Sequence, residues 1–315
     1  MRKNQFSNIR KNLLFFTIIA TLLSCSNTIE CNKNIAFWGD SMTQGADPDG
    51  VSMPGIIKDE LKKEVFNGGV GGLNSESIAC LQGGRVLKIK LDGDKIPASG
   101  LVNLTTYNIQ PYIHTTDKNR LGSINGIAGT LTRVGNPINP IIADSFSFTR
   151  TTPGSEINII DVDDFIFDDA INHRNEIQVI WAGRNDPRTE SQISLIISNI
   201  LSMTNFMTNK AQFLVISVCN GSRQTEGSGS ETLLNIIKLN YELETTFGNK
   251  YINLRKYMVE KAIYDAHLIP TSEDLQDISA DCIPSSLRYD AVHFNAIGNR
   301  MAGKYIANII RSKKW

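Results

Sequence analysis

Ser41 stands where a short apolar run, Ile35-Ala36-Phe37-Trp38, breaks at Gly39-Asp40-Ser41. A serine at the end of a buried strand presents its hydroxyl at the sheet edge. Backbone N–H groups there favour a developing negative charge. Near the other end of the chain, Asp290-Ala291-Val292-His293 sets a carboxylate and an imidazole three residues apart. In a turn or short helix that spacing puts both on one side, so Asp290 can hold the ring while its far nitrogen faces a nucleophile. Serine activated by a histidine that an acid orients is the chemistry of acyl transfer. Each motif alone is a weak signal. Strand-to-turn boundaries select Gly-Asp-Ser anyway, and a lone D-x-x-H is commonly a surface pair.

Two further segments offer donors to an oxyanion. Asn67-Gly68-Gly69-Val70-Gly71-Gly72 follows a second apolar run, and glycine lets a backbone N–H come close to a substrate. Gly183-Arg184-Asn185-Asp186 follows Ile177–Ala182 and brings a side-chain amide to the same level. The bland alternatives are a tight turn and an Asx turn with a helix cap.

The elements that must position these residues alternate. Short apolar runs at 35–38, 64–67, 177–182, 213–218 and 251–254 read as strands. Between them lie helical patterns. Thr189 with Gln192 reads as a capping box, ahead of Ile193, Ile196, Ile197, Ile200 and Leu201 on one face. Leu233, Ile236, Ile237 and Tyr241 mark a second helix, and Ile297, Met301, Tyr305 and Ile309 a last one. Strands alternating with helices predict a three-layer α/β/α sandwich with a central parallel sheet and a site at the strand C-terminal ends. The stretch 84–172 breaks the rhythm, with five of the ten prolines and a single glutamate, Glu156. Leu87, Ile89 and Leu91 alternate with lysines, and Phe146 and Phe148 alternate likewise. Pro153-Gly154 is placed to turn that strand back into Ile157–Ile160. We read the stretch as an inserted β-rich subdomain between the two parts of the main domain, 25–83 and 173–315.

Four motifs in this order, three of them at strand ends, resemble the SGNH (GDSL-type) hydrolase family, whose sheet is flavodoxin-like. On that resemblance Ser41 matches the nucleophile, Gly69 and Asn185 the oxyanion glycine and asparagine, and Asp290 and His293 the D-x-x-H pair. Met42 stands where leucine is usual, an apolar swap of similar volume. The resemblance covers roughly 34–84 and 177–312. It implies ester hydrolysis through an acyl-enzyme, with the N–H groups of Ser41 and Gly69 and the Asn185 amide as the oxyanion hole. It implies no metal and no organic cofactor. An α/β-hydrolase lipase is disfavoured, because there is no G-x-S-x-G elbow and only two residues separate Asp290 from His293. The expected substrate is an acylated, most simply acetylated, carbohydrate. A lipase or thioesterase acting on acyl chains, and a non-catalytic glycan-binding lipoprotein, are the alternatives.

Composition excludes other classes. With 315 residues, 41% hydrophobic and 20% charged, the chain can bury a full core, so disorder is not expected. Thirty-two basic residues cancel thirty-two acidic ones, which gives no nucleic-acid footprint. His114, His173, His267 and His293 are scattered and C-x-x-C is absent, so zinc-type spacing is missing. The acidic run of Asp161, Asp163, Asp164, Asp168 and Asp169 reads as a solvated loop in preference to a calcium site.

The first residues read as an address. Arg2, Lys3, Arg10 and Lys11 precede the apolar stretch Leu13–Leu23, too short to span a membrane but right for a signal-peptide core. Leu22-Leu23-Ser24-Cys25 resembles a bacterial lipobox, which implies a leader over 1–24, lipidation of Cys25 and an extracytoplasmic, membrane-anchored protein. Cys31, Cys80, Cys219 and Cys282 then remain, and their spacing selects no pairing. If the anchor is right, Cys25→Ser moves the protein from the membrane fraction to the soluble fraction, since multiple acyl chains hold firmly where none hold at all. Wild-type protein found fully soluble contradicts it.

Overall fold

Strand β1 (Ile35–Gly39) is buried at all five positions, as a strand covered on both faces requires. The computed structural model describes residues 33–315 apart from 46, 111–118, 136–142, 160, 209 and 211, so the leader, Cys25 and Cys31 lie outside the described residues. After β1 come α1 (Ser41–Gln44), α2 (Met53–Leu61), β2 (Val65–Gly69) and α3 (Ser75–Gln82). The chain then makes a run of strands. These are β3 (Leu87–Leu91), β4 (Lys95–Ile96), β5 (Leu101–Tyr107), β6 (Asn119–Ile124), β7 (Ile127–Gly135), β8 (Ala143–Arg150), β9 (Ile157–Asn158) and β10 (Asp163–Phe167). Helix α4 (Asp168–Asn172) returns it to β11 (Ile177–Trp181), α5 (Glu190–Phe206), β12 (Phe213–Ile216), α6 (Arg223–Glu226) and α7 (Glu231–Phe247). Then follow β13 (Tyr251–Ile252), α8 (Leu254–Glu260), α9 (Ala262–Asp265), α10 (Ser272–Ser279) and α11 (Ala296–Ser312).

Five strands form one all-parallel sheet in the order β13-β12-β11-β1-β2. Alternation along β1 divides the core. Ala36 and Trp38 join the apolar cluster of α3, α5 and α7, whereas Ile35 and Phe37 join that of α2, α8 and α11. This is the three-layer α/β/α sandwich expected. The strand order reverses between β1 and β11, so the crevice at that switch point opens just beyond Gly39.

The remaining long strands close on themselves as an antiparallel barrel, β10-β3-β5-β8-β7-β6, lying within 84–172. Leu87, Ile89 and Leu91 point inward, and Phe146, Phe148, Phe165 and Phe167 fill the interior. Phe165 meets Phe148 and Phe167 edge-on, at ring-centroid distances of 6.2 and 4.9 Å. The Phe148 ring packs against Gly129, where a Cβ would come within 2.3 Å of it. Closure removes the exposed edges that an open sheet of this length would present. The interior is not sealed from the sandwich. Its side chains belong to the same apolar cluster as Ala36, Trp38, Ile78 and Ile180.

Four local expectations fail for identifiable reasons. Ile157–Asn158 pairs with β4 and not with β8, because closure gives β8 to β5 and β7 instead. Thr189 is the N-cap of α5 but its side chain makes no capping bond, its hydroxyl lying 3.4 Å from that of Ser191. A capping box forms instead at Thr271 and Asp274. Leu201, Ile237 and Tyr241 are exposed, because α5 and α7 each bury a narrower stripe than their apolar pattern suggests. In α11 the buried line is Met301, Ala302, Ile306 and Ile310, with Ile297, Tyr305 and Ile309 flanking it.

A shared core couples the two parts energetically. Phe148→Ala in the barrel is expected to cost about 3–5 kcal/mol. All three tryptophans (Trp38, Trp181 and Trp315) lie outside the barrel, so their fluorescence reports only the sandwich. The variant should lower the midpoint of the tryptophan transition, and an unshifted transition would show that the barrel unfolds on its own.

Candidate active site

Register levels the strand ends that carry the motifs: Gly39 of β1 pairs with Gly69 of β2 on one side and Trp181 of β11 on the other. Directly beyond Gly39, the buried Asp40 caps α1 by accepting the Met42 N–H at 2.9 Å, which makes Ser41 the first helical residue. Two glycines let α1 close onto the sheet. A Cβ on Gly39 would lie 2.1 Å from Thr43 Oγ1, and one on Gly69 would lie 2.2 Å from the Gln44 nitrogen.

The structure brings Ser41, Asp290 and His293 together. His293 Nε2 lies 2.9 Å from Ser41 Oγ, and His293 Nδ1 lies 2.8 Å from Asp290 Oδ2. With Nδ1–H donating a hydrogen bond to the carboxylate, Nε2 accepts one from the Ser41 hydroxyl. The other oxygen, Oδ1, accepts the N–H groups of Val292 and His293, each at 2.7 Å. Partial burial opposes ionisation of Asp290, but those N–H groups and the imidazole outweigh it and hold the carboxyl below the usual range. Asp290 therefore stays an acceptor.

Asn185 is exposed at the same edge, its amide donating one proton to the Leu73 carbonyl at 3.0 Å and keeping a second. Its loop is anchored on both sides. Asp186 accepts the Ser75 N–H at 2.8 Å and the Ser75 hydroxyl at 2.6 Å, and Arg188 Nη1 donates to the carbonyl of Arg184 at 2.6 Å. Burial raises the Asp186 carboxyl against the pull of those Ser75 bonds.

The glycine run behaves differently from the sequence expectation. The Gly69 N–H is taken up by Asn67 Oδ1 at 3.0 Å, Val70 N–H by the Gly39 carbonyl and Gly71 N–H by Gln44 Oε1. The Gly72 N–H makes no hydrogen bond among the described residues, and Gly72 is exposed with φ of 80°. It also adjoins Leu73, whose carbonyl holds Asn185. Gly69 thus serves the close approach of α1, and the available donor lies three residues on. The positive φ of a turn leaving the strand was the signal, and it is not visible in a run where four of six residues are glycine.

Sequence reasoning also missed the polar scaffold beneath the Asp290–His293 loop. Arg288 Nη1 donates to the Asp290 carbonyl at 3.1 Å and Nη2 to Asp277 at 3.0 Å. Asp277, fully buried, accepts from Arg223 at 2.7 Å as well. Ser222 N–H donates to the Ala291 carbonyl at 2.8 Å. Cys80, Cys219 and Cys282 are buried free thiols, and burial pushes the Cys219 thiol up to about 12. They offer no competing nucleophile. Among the described residues no cluster of three histidine, cysteine or acidic side chains is placed to hold a metal ion. In the acidic run, Asp164 pairs with Lys88 and Asp169 with Arg120.

Burial pushes the Asp40 carboxyl up to about 6, against its Met42 bond and the nearby Arg184 and His293. A carboxyl raised on folding binds protons better in the native state. Its stabilising contribution is therefore present below about pH 4 and is lost as pH rises to about 6, at roughly 1.4 kcal/mol for each pH unit of that interval. Asp40→Asn keeps an acceptor for Met42 and removes the titration. Relative to wild type, the variant should gain stability in denaturant unfolding at pH 7 and little or none at pH 4. The same difference at both pH values would show that Asp40 is not the titrating group.

No family model matches the chain. It is 23% identical over 279 residues to the tail spike protein of Salmonella phage epsilon15, across 81% of this chain and 25% of that one. The chain therefore spans a quarter of that relative's length. Among solved structures it is similar to a lipase/acylhydrolase from Enterococcus faecalis, at TM-score 0.47 and 13% identity over 89% of this chain and 96% of that one. It is also similar to the acetyl xylan esterase AlAXEase, at TM-score 0.46 and 13% identity over 89% and 98%. Its sheet order and the placement of its four motifs at one sheet edge are the arrangement that the sequence's resemblance to SGNH-type hydrolases implies.

Proposed function

We propose that the chain is a serine esterase that works through an acyl-enzyme. The observation that carries this reading is the unbroken hydrogen-bonded series Ser41–His293–Asp290, at 2.9 and 2.8 Å, at the switch point of a parallel sheet. In the reaction, His293 Nε2 takes the hydroxyl proton as Ser41 Oγ attacks the ester carbonyl, then returns it to the leaving alcohol. Water, activated by the same imidazole, hydrolyses the acyl-serine. In this reading the N–H groups of Ser41 and Gly72 and the second amide proton of Asn185 receive the oxyanion.

The substrate we favour is an acyl group, most simply acetyl, on a carbohydrate. Exposed residues on the loops that carry the motifs include Asn67, Asn74, Asn185 and Tyr289 beside Gly72, Pro187 and Ala291, a largely polar rim with one aromatic ring. Such a rim suits a hydroxylated ligand better than a long acyl chain. The barrel lies close by, since Ser77 of α3 donates to the Gln110 carbonyl just after β5. The lipid anchor at Cys25 and the extracytoplasmic location belong to the same proposal and rest on the leader alone.

An ester panel of increasing acyl length, with acetylated sugars included, tests the reading. Acetyl esters should turn over and Ser41→Ala should abolish turnover in a folded protein. Asn185→Ala should lower kcat by about 10²–10³ with KM nearly unchanged, since that bond strengthens in the transition state. Retained turnover in Ser41→Ala overturns the nucleophile, and a preference for long acyl chains overturns the carbohydrate ester.

A further inference from the structure

One buried carboxylate, Glu226 at the end of α6, touches the supports of both halves of the site. Its Oε2 accepts Arg184 Nη1 at 2.8 Å and the Gly221 N–H at 2.5 Å. Both side chains of the ion pair are nearly withdrawn from solvent, at 12% and 10% exposure, so this contact is not a solvated surface pair. Arg184 directly precedes Asn185, and its carbonyl is held by Arg188. Gly221 lies against the other half: a Cβ there would come 2.1 Å from the Ala291 carbonyl, which accepts the neighbouring Ser222 N–H. Ala291 sits between Asp290 and His293. The Asn185 loop follows β11 and the Asp290–His293 loop precedes α11, and the contacts through Glu226 bridge them.

We propose that Glu226 is a positioning residue that fixes the Asn185 amide and the His293 imidazole relative to each other, which rests on the esterase reading above. The carboxylate does not reach the reacting atoms. It acts through Arg184 on one side and through Gly221–Ser222 and Ala291 on the other. Its effect belongs to the chemical step: it sets whether the oxyanion donor and the general base address one carbonyl group simultaneously, while the groups that bind ground-state substrate stay in place.

The test measures p-nitrophenyl acetate hydrolysis by wild type, Glu226→Gln, Asn185→Ala and the combined variant. Glu226→Gln should lower kcat by about 10–100-fold, as a misplacement of order 1 Å does, with KM little changed. In the combined variant the loss should be smaller than the product of the two separate losses, because the first change already displaces what the second removes. An Arg184→Gln/Glu226→Gln variant removes both buried charges together, so it keeps the fold if the single change does not, and it should show the same kcat loss. Wild-type kcat in a folded variant, or strictly multiplicative losses, overturns the proposal. A Ser41→Ala control separates the two readings. Hydrolysis that does not depend on Ser41 defeats the esterase reading itself, whereas Ser41-dependent hydrolysis indifferent to Glu226 defeats only the positioning role.

Discussion

The approach of α1 to the ends of β1 and β2 constrains everything else at the site. A four-residue helix cannot hold itself, since it forms hardly more than one turn of hydrogen bonds. It is held from outside, by the Asp40 cap and by two backbones that come close enough only because Gly39 and Gly69 lack side chains. Ser41 inherits its position from that contact. The histidine, arriving from a loop some 250 positions later in the chain, must then match a hydroxyl that the sheet has already placed.

The match is achieved with buried charge. Asp277 binds two arginines, Arg223 and Arg288, and Arg288 passes the constraint to the Asp290 carbonyl. Groups of this kind are costly to desolvate and are tolerated where their hydrogen-bonding capacity is filled. Here nearly every one ends on a loop carbonyl or loop N–H. Apolar side chains such as Val218, Ile283, Leu287 and Phe294 anchor the loops that follow β12 and precede α11 to the cores. Ionic and amide contacts fix the polar stretches between those anchors.

That division explains what could be read from the sequence. The central strands β1, β11 and β12 were legible because burial on both faces writes them as nearly uninterrupted apolar runs, and Ser41, Asp290 and His293 because their types and spacing have a joint use. The barrel was legible only as β-rich, since closure depends on pairings between strands far apart in sequence, and Ile157–Asn158 paired elsewhere for that reason. The donor at Gly72 was hidden among equivalent glycines, distinguishable only once φ is known. The scaffold residues Asp277, Arg288 and Glu226 carry no local signature at all. A buried ion pair between distant segments leaves no period or spacing to detect.

The barrel also bears on how the chain reaches its native state. Trp38 and Gln178, hydrogen-bonded neighbours in the central sheet, are 140 positions apart in sequence, and the barrel occupies most of the interval. Pairing β1 with β11 from an unfolded chain means closing that entire loop, and non-local parallel pairing is intrinsically slow. The barrel strands have mostly nearer partners, with hairpins such as β6–β7 joined at Asn125-Gly126. Once they close, β3 and β10 lie side by side and the long interval contracts to the width of a strand pair. In chain-entropy terms the barrel acts as an internal staple: its closure shortens the loop that the pairing of β1 with β11 has to close.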